Sequence, residues 1–427
     1  MARRALILVE GTRSNGALYV QAAKRLGLHP ITLSADPDQY DYLATRGSNA
    51  IRVDTGNLDA LIDNCSRLGA ASDIAGITSA DEEVYATAGK LCRHFDLPGP
   101  NPASIERCCD KFAQRELLAR AGVPLPAYRL AANPADVERS AVEIGLPVIL
   151  KPAVGHGSSG VRLCGNLDEL AEHTTYLLGG EHSWQCSPRI LVEEVARGPY
   201  YSADLMGNEV IGIEAADFDR PPHFVFRECI FPARLTDDQY KRMAEVSRSC
   251  LLALDLGWGP TNIELRWTKR GPVVIEVNPR LAGGTNPRLV QLAYGIDLVT
   301  EHIKLVIGKK WDLRRRRSHT AASRNLIPDR DGTLDWISGS DRAAAVPGVA
   351  EVELYVEPKS QIVRKGDYRD PIGHVIATSR NSARTQAILQ RALDRISWSI
   401  IPFPALDGQV QSASPHEHRC SREQGGF

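Results

Sequence analysis

Two glutamates and two asparagines recur at matching positions in the stretch from Thr261 to Arg280, TNIELRWTKRGPVVIEVNPR. Apolar-rich runs on either side of a glycine-containing turn predict a β-hairpin. Side chains alternate faces along a strand, so Asn262, Glu264 and Arg266 share one face, and Val274, Glu276 and Asn278 share one on the second strand. With a Lys269-Arg270-Gly271 loop and Gly271 left-handed, Glu264 falls opposite Glu276 and Asn262 opposite Asn278. Directly opposed carboxylates repel. Flanking Ile263, Leu265, Ile275 and Val277 would partly desolvate them and sharpen that repulsion. A cation between them resolves the conflict, and all-oxygen ligands from Glu and Asn suit Mg²⁺, which also takes phosphate oxygens. Arg280, on the same face if the strand continues, would point at those phosphates. The competing reading is a solvated polar face with cross-strand charge pairs; the doubled Glu and doubled Asn favour the metal.

The elements that must position this hairpin follow from the rest of the chain. At 427 residues the chain is too long for one ordinary core, and two to four domains are expected. Its 51 basic and 52 acidic residues leave a net charge of −1, which gives no pull toward nucleic acid or a membrane surface. Arg3 and Arg4 precede Ala5-Leu-Ile-Leu-Val9, a run too short for a signal sequence, and no apolar run reaches membrane-spanning length. The 9 cysteines are scattered, odd in number and without a C-x-x-C pair. That suits reduced thiols in a cytoplasmic protein.

Residues 4–10 predict a buried parallel strand. The turn Gly11-Thr-Arg-Ser-Asn-Gly16 and a helix to Leu26 follow, then strands at Ile31–Ser34, Ile51–Val53 and Ile74–Thr78. This βαβ opening predicts a Rossmann-like unit. Its glycines do not form G-x-G-x-x-G, so a nucleotide-free domain is expected there. Asp81 to Glu83 sit at the carboxyl end of a strand, where ligands bind in open α/β sheets; helix capping explains them equally well. After the Pro/Gly boundary at residues 97–102, one helix is expected from Ser104 to Ala119, with Lys111 and Arg115 one turn apart. A strand ends on Lys151 and leads into Gly155, His156, Gly157, Ser158, Ser159 and Gly160. Such a loop lets backbone N–H groups and serine hydroxyls approach phosphates, although a plain hairpin turn has the same composition. It is not a Walker A loop, because its lysine precedes the glycines. The basic run at 312–317 suits a solvated linker, and residues 406–427, with His416, His418 and Cys420, suit a disordered tail.

In order and spacing, these pieces resemble the ATP-grasp superfamily of ligases. The resemblance covers roughly residues 105–310. It rests on Asp110-Lys111 with Arg115, Leu150-Lys151-Pro152 with its Gly/Ser loop, Val192-Glu-Glu-Val-Ala-Arg-Gly198, Asn262-Ile-Glu264 and Glu276-Val-Asn-Pro-Arg280. In look it is closest to the L-amino-acid ligase and biotin carboxylase-like branch, with Asn278-Pro-Arg-Leu-Ala-Gly-Gly284 resembling the L-amino-acid ligases. It implies a multidomain α/β and α+β chain. The expected parts are a Rossmann-like domain at 1–104, linker helices at 105–147 and an ATP-grasp lid at 148–206. A catalytic subdomain at 207–317, a small α+β subdomain at 318–405 and the tail at 406–427 complete it.

The resemblance also implies roles. Lys111 and Lys151 would hold ATP phosphates, the loop from Gly155 to Gly160 would cover them, and Glu193, Glu194, Val195 and Ala196 would form the adenine hinge. Glu264, Glu276 and Asn278 would bind Mg²⁺, with Mn²⁺ as an alternative, and Arg280 would steady the acyl phosphate. Glu83, Arg227, Gly283, Gly284 and Arg288 are substrate candidates, Arg288 as a bidentate carboxylate partner or as a plain surface arginine. The implied activity is ATP-dependent joining of a small acid and an amine, such as two amino acids, by a homodimer. The alternatives are a biotin carboxylase-like or purine-pathway ligase using bicarbonate or formate, and a nucleotide-binding regulatory protein without turnover.

Overall fold

The computed structural model describes residues 4–13, 15–44, 49–179 and 189–404. The expected tail at 406–427, with His416, His418 and Cys420, lies outside them. Strands β1 (Arg4–Val9), β2 (His29–Ser34), β3 (Asn49–Arg52) and β4 (Asp73–Thr78) form a parallel sheet in the order β3-β2-β1-β4. Ala5 to Val9 are all buried, as helices on both faces of a parallel sheet require. Helices α1 (Gly16–Arg25), α2 (Leu58–Ala71) and α3 (Tyr85–His94) complete this unit.

The single helix expected from Ser104 to Ala119 is instead two helices, α4 (Pro102–Cys109) and α5 (Lys111–Arg120). Asp110 breaks it: its backbone is extended and its carboxylate accepts from the N–H groups of Phe112 and Ala113, capping α5. The break turns Lys111 into the first residue of a helix, with its own N–H donating to Ala153 O at 2.8 Å.

A second sheet, ordered β5-β8-β6-β7, comprises β5 (Tyr128–Ala131), β6 (Val148–Pro152), β7 (Arg162–Cys164) and β8 (Ile190–Glu194). Helices α6 (Pro134–Ile144) and α7 (Leu167–Gly179) pack on it. The largest sheet begins with β9 (Tyr200–Met206), β10 (Glu209–Phe218) and β11 (Phe226–Phe231). After α8 (Asp237–Leu254) it gains β12 (Pro260–Thr268) and β13 (Gly271–Asn278), and then α9 (Asn286–Tyr294) and α10 (Leu298–Val306) follow. The α8 start carries a full capping box, with Thr236 and Gln239 satisfying each other's backbone N–H groups.

Further along come β14 (Thr320–Asn325), β15 (Gly332–Ser338), α11 (Ser340–Ala344), β16 (Val349–Leu354) and β17 (Gln361–Ile362). The last elements are β18 (Gly373–Ser379), α12 (Ser382–Leu393) and β19 (Ser397–Ile401). Three of these strands extend the large sheet to eight, in the order β13-β12-β9-β10-β11-β14-β18-β16. One continuous apolar core joins the parallel sheet to β9, β10, β12 and β13, burying Ile7, Leu33, Ala203, Ile263, Leu265 and Val277 together. The hairpin is therefore backed by packed side chains, and its polar face is held rigidly. No helix among the described residues is long and apolar enough to cross a membrane.

Candidate active site

The hairpin pairs Glu264 with Glu276 and Asn262 with Asn278, the register read from the sequence. The route to that register differs. The turn holds only Lys269 and Arg270, since Thr268 pairs with Gly271. The extra residue is taken up by a β-bulge between the Glu264 and Leu265 pairs. Gly271, at φ +100°, occupies a conformation that L side chains avoid.

Burial, and then the charge of Glu276, pushes the Glu264 carboxyl up to about 7. Burial also opposes ionisation of Glu276, but Lys111 and Lys151 outweigh it and hold that carboxyl below the usual range. One member of the facing pair is thus neutralised by lysines and, among the described residues, the other has no ammonium in contact with it. Tyr200 hydrogen-bonds to Glu264, and Asn278 Nδ2 lies 3.4 Å from Glu264 Oε1. These carboxylate and amide oxygens, crowded on a desolvated face, fit a hard divalent cation.

Lys111 Nζ sits 2.8 Å from Glu276 Oε1 and also donates to Gly155 O. One turn on, Arg115 is fully buried at 0 % exposure. Its Nε donates to Glu193 Oε1 at 2.7 Å, and it also donates to Ile275 O. Lys151 Nζ lies 2.5 Å from Glu193 Oε2. Burial draws the Lys151 ammonium below the ordinary lysine range in spite of Glu193. Glu193 is thus a clamp between two cations on different elements, while its backbone belongs to β8, pairing with Tyr128 and Ile149. Glu194 closes β8 and pairs with Arg270 at 2.9 Å, and Val195 and Ala196 lie in the irregular segment that follows.

The loop from Gly155 to Gly160 connects β6 and β7. Gly155, Gly157, Ser158 and Gly160 all have positive φ. It is tethered on three sides: Gly155 O to Lys111, Gly160 O to His173 Nε2 at 2.8 Å, and Gly157 O to Tyr368 N at 3.2 Å. A Cβ on Gly157 would meet the Tyr368 ring at 2.4 Å, so close approach demands glycine there. His156 faces Glu83, Nδ1 to Oε1 at 3.5 Å, and that contact raises the imidazole above its ordinary value.

The strand does not continue to Arg280. The Arg280 N–H closes a turn onto Asn278 O at 2.8 Å, and its Nε donates to Glu82 Oε2 at 2.5 Å. Coulombic contact with Glu276 and Glu264 still reaches Arg280. The carboxylate that meets this arginine is therefore Glu82, and Glu83 meets the glycine loop. Gly283 and Gly284 are exposed, with nothing within 4 Å of a Cβ on either. Arg227 is engaged by Asp217. Arg288 lies 3.3 Å from Glu351 and donates to Gln291 at 2.8 Å.

Sequence reasoning missed two features. Gln114 ties α5 to the hairpin, with Nε2 donating to Val277 O at 2.9 Å and Oε1 accepting from Val277 N at 3.0 Å. A buried polar network joins Asp204 on β9 and Glu214 on β10 to Asn262 of the hairpin and Asn286 at the start of α9. The alternation of Tyr200-Tyr-Ser-Ala-Asp204 carried a signal, since Ser202 and Asp204 share a face.

Known proteins resemble this chain in sequence and in fold. The sequence profile of the ATP-grasp domain matches residues 144–287, and that of the L-amino acid ligase C-terminal domain 2 matches residues 324–400. An uncharacterized protein of Sinorhizobium fredii, y4rH, is 60% identical over 409 residues, 96% of this chain and 86% of that protein. Carnosine synthase 1 of Homo sapiens is 27% identical over 86% of this chain, which spans only 47% of that protein. The crystal structure of an L-amino acid ligase from Bacillus licheniformis superposes with a TM-score of 0.80 at 18% identity, covering 94% of this chain and 100% of that one. The chain belongs to the ATP-grasp superfamily of carboxylate–amine ligases and carries, after its ATP-grasp domain, the C-terminal domain of the L-amino acid ligases.

Proposed function

We propose that the protein joins the carboxyl group of one amino acid, or a related small acid, to the amino group of another in an ATP-driven reaction. The observation that carries this reading is the convergence of Lys111, Lys151 and Arg280 on the Glu264–Glu276 pair. Phosphoryl transfer needs positioning and charge neutralisation more than covalent help, and that cluster supplies both. A carboxylate oxygen of the acid attacks the γ-phosphorus, the bond between γ-phosphorus and bridging oxygen breaks, and ADP leaves. The amine nitrogen then attacks the acyl carbon of the acyl phosphate, the carbon–oxygen bond to phosphate breaks, and phosphate and a proton leave.

Lys111 and Lys151 would hold the transferred phosphates, which requires them to exchange part of their contact with Glu276 and Glu193 for phosphate oxygens. Arg280, oriented by Glu82, would face the oxyanion that develops on the acyl carbon. The loop from Gly155 to Gly160 would close over the phosphates, its backbone N–H groups donating. Glu264, Glu276 and Asn278 would hold Mg²⁺, which supplies charge neutralisation on the phosphate oxygens. Glu194, Val195 and Ala196 would border the adenine, and open Gly283 and Gly284 leave room for the acid substrate.

Phosphate release measured against pairs of amino acids tests the reading. Release that requires two amino acids, with formation of the dipeptide, is expected. Release driven by bicarbonate alone would move the chain to carboxylase-type chemistry, and ATP binding without turnover would remove the ligase reading.

A further inference from the structure

The large sheet carries two carboxylates that the reaction above does not use. Asp204 on β9 is 2 % exposed and Glu214 on β10 is 3 % exposed. Glu214 lies opposite Ser202, which lies opposite Glu264; Asp204 lies opposite Asn262, which lies opposite Asn278. Opposed residues of an antiparallel sheet share a face. The two acids therefore stand on the face of the facing glutamates, one and two strand spacings from Glu264, about 5–10 Å, and one spacing further from Glu276.

No lysine, arginine or histidine acts on either group among the described residues. Burial raises both, Asp204 to about 6 and Glu214 to about 8. One amide ties them together: Asn286 Nδ2 donates to Asp204 Oδ2 at 2.9 Å and to Glu214 Oε2 at 3.0 Å. Asn286 is 3 % exposed, and its Oδ1 has no hydrogen-bond partner. Asn262 Nδ2 donates to the other Asp204 oxygen at 3.0 Å. Beyond those two amides and the Cys229 thiol on Glu214, no side chain among the described residues donates to the carboxylates, and the Asn286 oxygen is orphaned. Such a cluster is costly unless a cation completes it.

We infer that Asp204, Glu214 and Asn286 form a subsite for the primary ammonium of an amino-acid substrate, the one whose carboxyl group is phosphorylated. The inference rests on the ligase reading for the identity of that carboxyl group. An ammonium offers three N–H donors on one small head, matching two carboxylates and one amide oxygen. Its placement also decides which substrate it serves. A nitrogen held between carboxylates stays protonated, has no lone pair and cannot attack an acyl carbon. The subsite thus belongs to the acid partner and keeps that partner's own amine out of the reaction. Asn286 opens α9, only eight positions beyond Asn278 in numbering, so one short segment links this subsite to the metal-facing hairpin.

The test uses the full-length protein with Mg²⁺ and a non-hydrolysable ATP analogue. Binding of the twenty common L-amino acids is compared with that of their N-acetyl derivatives, in the parent and in Asp204→Asn and Glu214→Gln. Free amino acids are expected to bind and N-acetyl forms to fail. Each variant is expected to weaken the amino acid by about 10- to 100-fold, the loss of a charge-assisted hydrogen bond, with nucleotide affinity within about twofold. Where ligation is measured, KM for the acid partner should rise and KM for the amine partner should not. Both variants keep the side-chain shape and replace a carboxyl whose ionisation burial opposes, so their melting temperatures should not fall. Should either misfold, Asn286→Ala provides the same comparison.

Equal binding of free and N-acetyl amino acids, or unchanged amino-acid affinity in the variants, would reduce the cluster to a structural pair sharing a proton and overturn the inference. The two readings fail separately. Ammonium-dependent binding without ligation would sink the ligase reading and leave the subsite standing; ligation with unaltered KM in both variants would do the reverse.

Discussion

Glu276 is reached by Lys111 from the first turn of α5 and influenced by Lys151 from the end of β6. It is the residue on which the two walls of the site meet. Residues that merely orient metal ligands cost about 10- to 100-fold in affinity or activity when removed, so loss of Glu276, proposed as a ligand itself, should cost more than about 100-fold. Glu276→Ala is therefore expected to abolish ADP release while the protein still melts cooperatively. Near-normal turnover would remove the glutamate from the site. Lys151→Ala makes a different prediction. It should raise the KM for ATP sharply, and it should also leave Glu193 with only Arg115. An unchanged KM, with a lowered melting temperature, would mean that Lys151 serves only the buried clamp.

At the scale of elements, the hairpin was legible because its pattern is local. The polar residues alternate with Ile263, Leu265, Ile275 and Val277, and the register followed from the shared face together with the expected Lys269-Arg270-Gly271 loop. The bulge was not legible, because turn length and bulge compensate: a two-residue turn plus one bulged residue gives the same Glu264–Glu276 pairing as a three-residue turn. The break at Asp110 was hidden for another reason. Apolar periodicity runs through it, and only the cap geometry with the long-range contact to Ala153 ends one helix and starts the next.

His302 on α10 shows the same limit. It lies between Tyr19 of α1, with hydroxyl to Nδ1 at 2.5 Å, and Tyr85 of α3, with hydroxyl to Nε2 at 3.4 Å. Burial lowers its imidazole to about 3. The unfolded chain takes up that proton near the ordinary histidine value, about 6.5. Above that value the site contributes its full stability. As pH falls from there toward about 3, the unfolded state binds the proton first and stability is lost. His302→Gln, which does not titrate, should melt with a shallower dependence on pH between 7 and 4. Parallel curves for parent and variant would contradict this.

Across the whole molecule, the site is built where three sheets meet: the parallel sheet supplies, after β4, the loop with Glu82, the four-stranded sheet β5-β8-β6-β7 supplies Lys151 and Glu193, and the large sheet supplies the hairpin. The chain order of the motifs was enough to identify the superfamily. It could not reveal that Tyr368, far along the chain, receives the glycine loop at Gly157. Nor could it show that Asp204 and Glu214 lie beside the hairpin, since that requires the strand order of the large sheet. Tyr368→Ala removes a ring packed against the loop and should raise the KM for ATP severalfold with little change in melting temperature. An unaltered KM would mean that the contact does not help to close the loop.

The central claim is that a carboxylate is phosphorylated on this face before an amine attacks it. The most direct measurement follows ¹⁸O from the carboxyl group of the acid substrate during turnover with ATP. Transfer of one labelled oxygen into the released phosphate is the result expected, with ADP as the nucleotide product. Unlabelled phosphate, or release of AMP and pyrophosphate, would contradict the account.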